Sequence, residues 1–119
     1  MKRTLVIGAS ENPERYSNRA VKKLFLNNIP VEAIGMKEGE IDGVKIQTGL
    51  PQFENIHTVT MYVGAKNQPN YYDYILSLKP QRIIFNPGAE NSEFENKLKE
   101  NGIEVIDACT LVMLSVGNF

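Results

Sequence analysis

Short β-branched runs alternate with stretches of helical period along this chain, and that alternation restricts it to a layered α/β fold. Residues 4–7 (Thr-Leu-Val-Ile) form an apolar run that ends at Gly8 and read as a buried central strand. Ala20, Val21, Leu24 and Phe25 then follow i, i+3, i+4 spacing, with Arg19, Lys22 and Lys23 on the other face. This is an amphipathic helix, stopped by Asn27-Asn28 and Pro30. Residues 31–35 read as a second strand. Gly39, Asp42-Gly43, Gly49 and Pro51 punctuate the next stretch, leaving only residues 44–46 extended, as a short edge strand. Residues 58–63 are β-branched and aromatic, a further strand. Pro69 opens a helix with Tyr72, Ile75 and Leu76 as its apolar stripe. Residues 82–85 are another buried strand, Phe94 and Leu98 mark a helix that stops at Asn101-Gly102, and residues 103–106 are the last strand. Residues 110–114 suit a final short helix. The pattern predicts a Rossmann-like, doubly wound, mostly parallel sheet with helices on both faces, built by right-handed crossovers.

The size and composition fit one domain over residues 1–119. With 42% hydrophobic residues the chain carries enough apolar side chains for a packed core. The 13 basic and 14 acidic residues leave a net charge of −1, which offers nothing to draw in nucleic acid. The single cysteine, Cys109, excludes an intrachain disulfide and a cysteine-rich metal site. The apolar stretch after Met1-Lys2-Arg3 is too short for a signal peptide, and no run reaches membrane-spanning length, so a cytoplasmic location is expected.

In such sheets ligands bind beyond the carboxyl ends of the strands, where strand order reverses. The strand-end loops of this chain hold most of its Gly, Pro, Ser and Asn. The first runs from Gly8 and Ala9 through Ser10, Arg15 and Tyr16 to Ser17. Gly8 and Ala9 let the main chain turn close to a phosphate, and the following helix offers unpaired N–H groups at its positive end. Ser10 and Ser17 can donate, and Arg15 can fork onto phosphate oxygens; alternatively Ser17 caps the helix and Arg15 is solvated. The loop lacks the G-x-G-x-x-G spacing, keeping only the first glycine. At the end of the second strand Gly35-Met36-Lys37 stands where an acid would receive the ribose hydroxyls of NAD. Lys37 suits a phosphate on the ribose, as in 3′-phospho-ADP or a 2′-phosphate, or is a solvated loop lysine, whereas the adjacent Glu38 suits NAD, so a ribose-phosphorylated nucleotide and an NAD(H)- or NADP-binding reading both remain open.

The residues resemble a known family. Val6-Ile7-Gly8-Ala9-Ser10, Asn12-Pro13, Arg15 and Ser17-Asn18 look like the opening of small CoA-binding domain proteins. The likeness continues through Gly43-Val44-Lys45-Ile46, Asn86-Pro87-Gly88-Ala89-Glu90, Gly102-Ile103-Glu104-Val105-Ile106 and Cys109. The same layout is similar to the CoA-holding domain of the succinyl-CoA synthetase α subunit. The resemblance implies coenzyme A or an acyl-CoA as ligand, with the diphosphate on residues 8–17 and Lys37 facing the 3′-phosphate. It places the adenine between the loop after the second strand and Val63. It runs the pantetheine past Gly64, Asn67 and Asn86 to Glu90, beside Pro87 and Gly88. Departures near Tyr16, and Asn86-Pro87-Gly88 in place of an apolar-Gly pair, bear on acyl preference.

No catalytic set stands out. His57 precedes a strand and belongs to the edge away from the ligand, and neither a Ser-His-Asp nor a paired-carboxylate arrangement is visible on the ligand side. Glu90 and Asp107 read as caps or acceptors. Cys109 follows the last strand, where a helix N-terminus would activate its thiol towards that of CoA; a small buried core residue is the alternative. Tyr71, Tyr72 and Tyr74 read as packing and helix-face residues, with Tyr72 inward and the other two nearer the surface. The expected function is a non-catalytic binder of a small nucleotide ligand, without nucleic-acid or membrane partners and with any protein partner left open.

Overall fold

The computed structural model describes residues 2–119; Met1, at the start of the first basic stretch, lies outside them. Among the described residues seven strands form one sheet: β1 (Thr4–Ala9), β2 (Val31–Gly35), β3 (Gly39–Ile41), β4 (Val44–Gln47), β5 (Thr58–Met61), β6 (Arg82–Phe85) and β7 (Glu104–Asp107). Their spatial order is β3-β4-β2-β1-β5-β6-β7, parallel throughout except for the antiparallel β3–β4 pair. Four α-helices accompany them: α1 (Tyr16–Leu26), α2 (Tyr72–Leu78), α3 (Ser92–Glu100) and α4 (Thr110–Val116). This is the Rossmann-like doubly wound sheet that the alternation predicts.

The central strands are buried on both faces, which is why they read as unbroken apolar runs. Leu5 and Ile7 of β1 point to one face, joining Val59, Met61, Ile83 and Phe85 beneath Ile75 of α2 and Phe94 and Leu98 of α3. Val6 points to the other face, with Ala33, Ile41 and Ile46 beneath Val21 and Leu24 of α1. The helix stops follow the residues that forecast them. Asn28 takes a left-handed conformation (φ 59°), Ile29 N–H returns to the Leu24 carbonyl at 3.0 Å, and Pro30 follows. At the end of α3, Gly102 (φ 75°) lets Ile103 N–H reach Leu98 O at 3.1 Å. Asn91 caps the start of α3 by accepting from Phe94 N–H, while Glu95 accepts from Asn91 N–H.

Two sequence expectations are corrected. Residues 44–46 are not the sheet edge: β4 lies between β2 and a further strand, β3. The Asp42-Gly43 pair makes the two-residue hairpin turn, both residues having positive φ (47° and 90°), and so folds residues 39–41 back against β4. Tyr71 and Tyr74 also pack against the core together with Tyr72, and Tyr74 donates to the Pro51 carbonyl at 2.6 Å.

The topology fixes where a ligand can sit. From β1 the chain goes to β2 on one side, and after β4 it crosses back to place β5 on the other side. Strand order therefore reverses at β1, and a crevice opens beyond the carboxyl ends of β1 and β5.

Candidate functional site

The loop after β1 is shaped by a short chain of local bonds. Gly8 adopts φ 99°, and β1 shifts register against β2 between Ile7 and Ala9. Asn12 N–H donates to Ser10 Oγ (3.1 Å), Glu14 N–H to Asn12 Oδ1 (3.0 Å) and Arg15 N–H to Asn12 O (3.0 Å), closing a turn around Pro13. Asn18, buried in the first turn of α1, donates from Nδ2 to Ser10 O at 2.8 Å and so braces the loop from beneath. No side chain caps α1 at Arg15, so its leading N–H groups and positive end face the loop.

Gly35, at the end of β2, is required by the same bulge. A Cβ there would stand 2.3 Å from the Ala9 carbonyl oxygen, a main-chain atom that cannot yield. The close approach brings the following residues, Met36, Lys37 and Glu38, against the first loop, and all three are exposed.

Together these loops and the segment after β5 enclose a cleft of about 600 Å³. The first loop contributes Gly8, Ala9, Ser10, Glu11, Asn12 and Arg15, and the segment after β2 contributes Met36, Lys37 and Glu38. Tyr62, Val63, Gly64 and Asn67 close the third side. The volume is within the range of small-molecule sites, and the cleft lies at the strand-order reversal. Arg15 and Lys37 supply cations beside the uncapped end of α1, which is the donor set a phosphorylated nucleotide needs. A shallower depression of about 340 Å³ beside Ile29, Pro30 and Leu114 contains neither the first loop nor the β5 end.

Of the site residues expected from sequence, Gly8, Ala9, Ser10, Arg15, Lys37, Val63, Gly64 and Asn67 line this cleft. Tyr16 is exposed, with Arg19 over its ring, and Ser17 is buried without forming the cap of α1. Asn86 is buried and engaged on every side. Its Nδ2 donates to Thr60 Oγ1 (2.7 Å) and Met61 O (2.9 Å), and its Oδ1 accepts from Thr110 N–H (2.8 Å). Asn86 therefore ties the start of α4 to the ends of β5 and β6. Pro87 and Gly88 are exposed, and Glu90 Oε1 accepts from Gly88 N–H at 2.9 Å. Cys109 is half-buried in the N-cap position of α4. His57 lies at the opposite edge, its ring 2.7 Å from Thr58 Oγ1, with its pKa lowered by burial and then by Arg82.

Three positions carry weight that sequence reasoning missed. Tyr62 lines the cleft while its hydroxyl is buried next to Thr60 and Thr110, which bond to each other at 2.8 Å. Burial pushes that hydroxyl up to about 12. Gln68, fully buried, joins the loop after β5 to the loop after β6 by donating to Val63 O (2.8 Å) and Ala89 O (2.7 Å). Glu11 reaches from the first loop to accept from Glu40 N–H at 3.0 Å. The strand-end position of Tyr62 was a usable signal; the contacts of Gln68 and Glu11 are tertiary and leave none.

Comparison with known proteins settles the family. The model of the CoA binding domain matches residues 2–115, nearly the whole chain. The chain belongs to the CoA binding domain family. Among solved structures, that of an uncharacterized protein is 48% identical, with a TM-score of 0.97 over 100% of this chain and 98% of the other. A protein from Thermus thermophilus is 22% identical, with a TM-score of 0.86 over 99% of this chain and 90% of its own. A hypothetical protein from Pyrococcus horikoshii is 24% identical, with a TM-score of 0.87 over 97% and 82%. The last two share the fold. No curated protein matches the sequence significantly. The family supports binding of a CoA-type ligand by this CoA binding domain, and no described helix is long and apolar enough to cross a membrane.

Proposed function

We propose that this CoA binding domain holds coenzyme A or an acyl-CoA in the cleft between the first loop, the segment after β2 and the segment after β5, as a non-catalytic binder. The observation that carries the reading is Lys37 in the wall of the same cleft as the first loop and Arg15. The diphosphate rests on residues 8–12 at the positive end of α1, where main-chain N–H groups and Arg15 receive it. Lys37 faces the 3′-phosphate of the adenosine, and the adenine lies between Met36 and Val63. The pantetheine leaves past Gly64 and Asn67 towards Asn86, Pro87, Gly88 and Glu90, with Cys109 near its thiol end.

Glu38 lines the cleft beside Lys37 and gives the NAD reading its one favourable contact. Parallel calorimetric titration with CoA, dephospho-CoA, NAD and NADP separates the two. CoA is expected to bind best, and to lose about tenfold in affinity without the 3′-phosphate or in Lys37→Ala, the size of one charge-assisted contact. Equal or tighter binding of NAD would overturn the assignment.

A further inference from the structure

The segment carrying Lys37 is a strap of three exposed residues, Met36 to Glu38, between the end of β2 and the start of β3. Both of its ends are tied to the first loop. At one end Gly35 packs on the Ala9 carbonyl, with room for no side chain. At the other, the Glu11 carboxylate lies directly over Gly39 and accepts from Glu40 N–H at 3.0 Å. A Cβ on Gly39 would stand 2.4 Å from the Glu11 carboxylate carbon, so a glycine is what admits this contact. Glu11 itself comes from the loop assigned to the diphosphate. One carboxylate thereby fixes the separation between the diphosphate loop and Lys37.

We propose that Glu11 is a positioning residue that sets the preference of this site for a nucleotide phosphorylated on its ribose. It acts through Lys37, by holding the β3 end of the strap against the first loop. The inference rests on the CoA reading for its ligand, but the clamp itself is a property of the free protein. Without the carboxylate the far end of the strap is held only by the pairing of β3 with β4 and no longer by the first loop, so Lys37 samples more positions relative to that loop and the phosphate contact must order them at its own cost. The diphosphate and its loop keep their other braces, Asn18 and the turn at Pro13.

The test uses Glu11→Ala, Glu11→Gln and Gly39→Ala in the full chain. Gln keeps an acceptor for Glu40 N–H. Ala at 39 needs no unusual φ but displaces the Glu11 carboxylate, so it should reproduce Glu11→Ala. Hydrogen exchange without ligand reads the clamp: residues 36–41 are expected to exchange about tenfold faster in Glu11→Ala and Gly39→Ala, and at the wild-type rate in Glu11→Gln. Calorimetry reads its consequence: the ratio of CoA to dephospho-CoA affinity should fall about tenfold in the two Ala variants and recover in Glu11→Gln. Unchanged exchange in Glu11→Ala overturns the clamp. Faster exchange with an unaltered affinity ratio overturns its role in selectivity. A wild-type protein that does not distinguish CoA from dephospho-CoA overturns the CoA reading, and the selectivity role with it, while the exchange experiment still reports on the clamp.

Discussion

The Gln68 amide nitrogen donates to the carbonyls of Val63 and Ala89, and its oxygen accepts from Asn91 Nδ2, which in turn donates to the Tyr72 hydroxyl. One fully buried side chain therefore connects two strand-end loops and the cap of α3. Such a network is worth most when it is complete, because each orphaned buried group carries its full desolvation cost. Gln68→Ala leaves two carbonyls and one amide N–H without their partner, and is expected to destabilise by about 3 kcal/mol. Urea unfolding measures this, and a loss below half that figure would show that solvent enters to replace the side chain. The sequence shows only a glutamine before Pro69; its value comes from residues 21 and 23 positions away, which no local pattern reports.

At the scale of elements, the hairpin of β3 and β4 is the part that depends most on backbone conformation. Gly43 adopts φ 90° with nothing within 4 Å of where its Cβ would be, so a side chain there is opposed by torsion alone. Gly43→Ala should cost about 1 kcal/mol. The loss should be confined to the sheet edge: amides of residues 39–47 exchange faster while those of β1 and β5 keep their protection, and a uniform rise across the sheet would contradict this. The same hairpin marks the limit of sequence reading. Residues 4–7 and 82–85 are recognisable because burial on both faces demands continuous apolar side chains. Residues 39–41 (Gly-Glu-Ile) are too few to show a period, and they are a strand only because Asp42-Gly43 turns them onto β4. The cleft was legible in the same measure. Gly8, Ser10 and Lys37 follow from the rule that ligands meet strand carboxyl ends, whereas Glu11 matters through a glycine 28 positions later that happens to admit its carboxylate.

For the molecule as a whole, two tyrosines make stability sensitive to alkali. Burial pushes the hydroxyls of both Tyr62 and Tyr74 from 10.0 to about 12, helped at Tyr74 by the nearby Glu32 carboxylate. With the folded-state pKa above the unfolded one, the folded chain keeps these protons at a pH where the unfolded chain has begun to release them. Their contribution is complete below pH 10 and is lost between pH 10 and about 12. The two differ at neutral pH. The Tyr74 hydroxyl donates to Pro51 O, so Tyr74→Phe forfeits that bond and should cost about 1 kcal/mol. The Tyr62 hydroxyl lies against Thr60 and Thr110, which already bond to each other, so Tyr62→Phe forfeits little and should be close to neutral in stability. Both variants should lose less stability than wild type on going from neutral pH to about pH 11, midway through the titration window. Comparing each with wild type cancels the lysines that titrate over the same range. Urea midpoints at the two pH values check the point: if Tyr62→Phe falls by as much as wild type, the buried hydroxyl is not what the alkaline loss of stability reports.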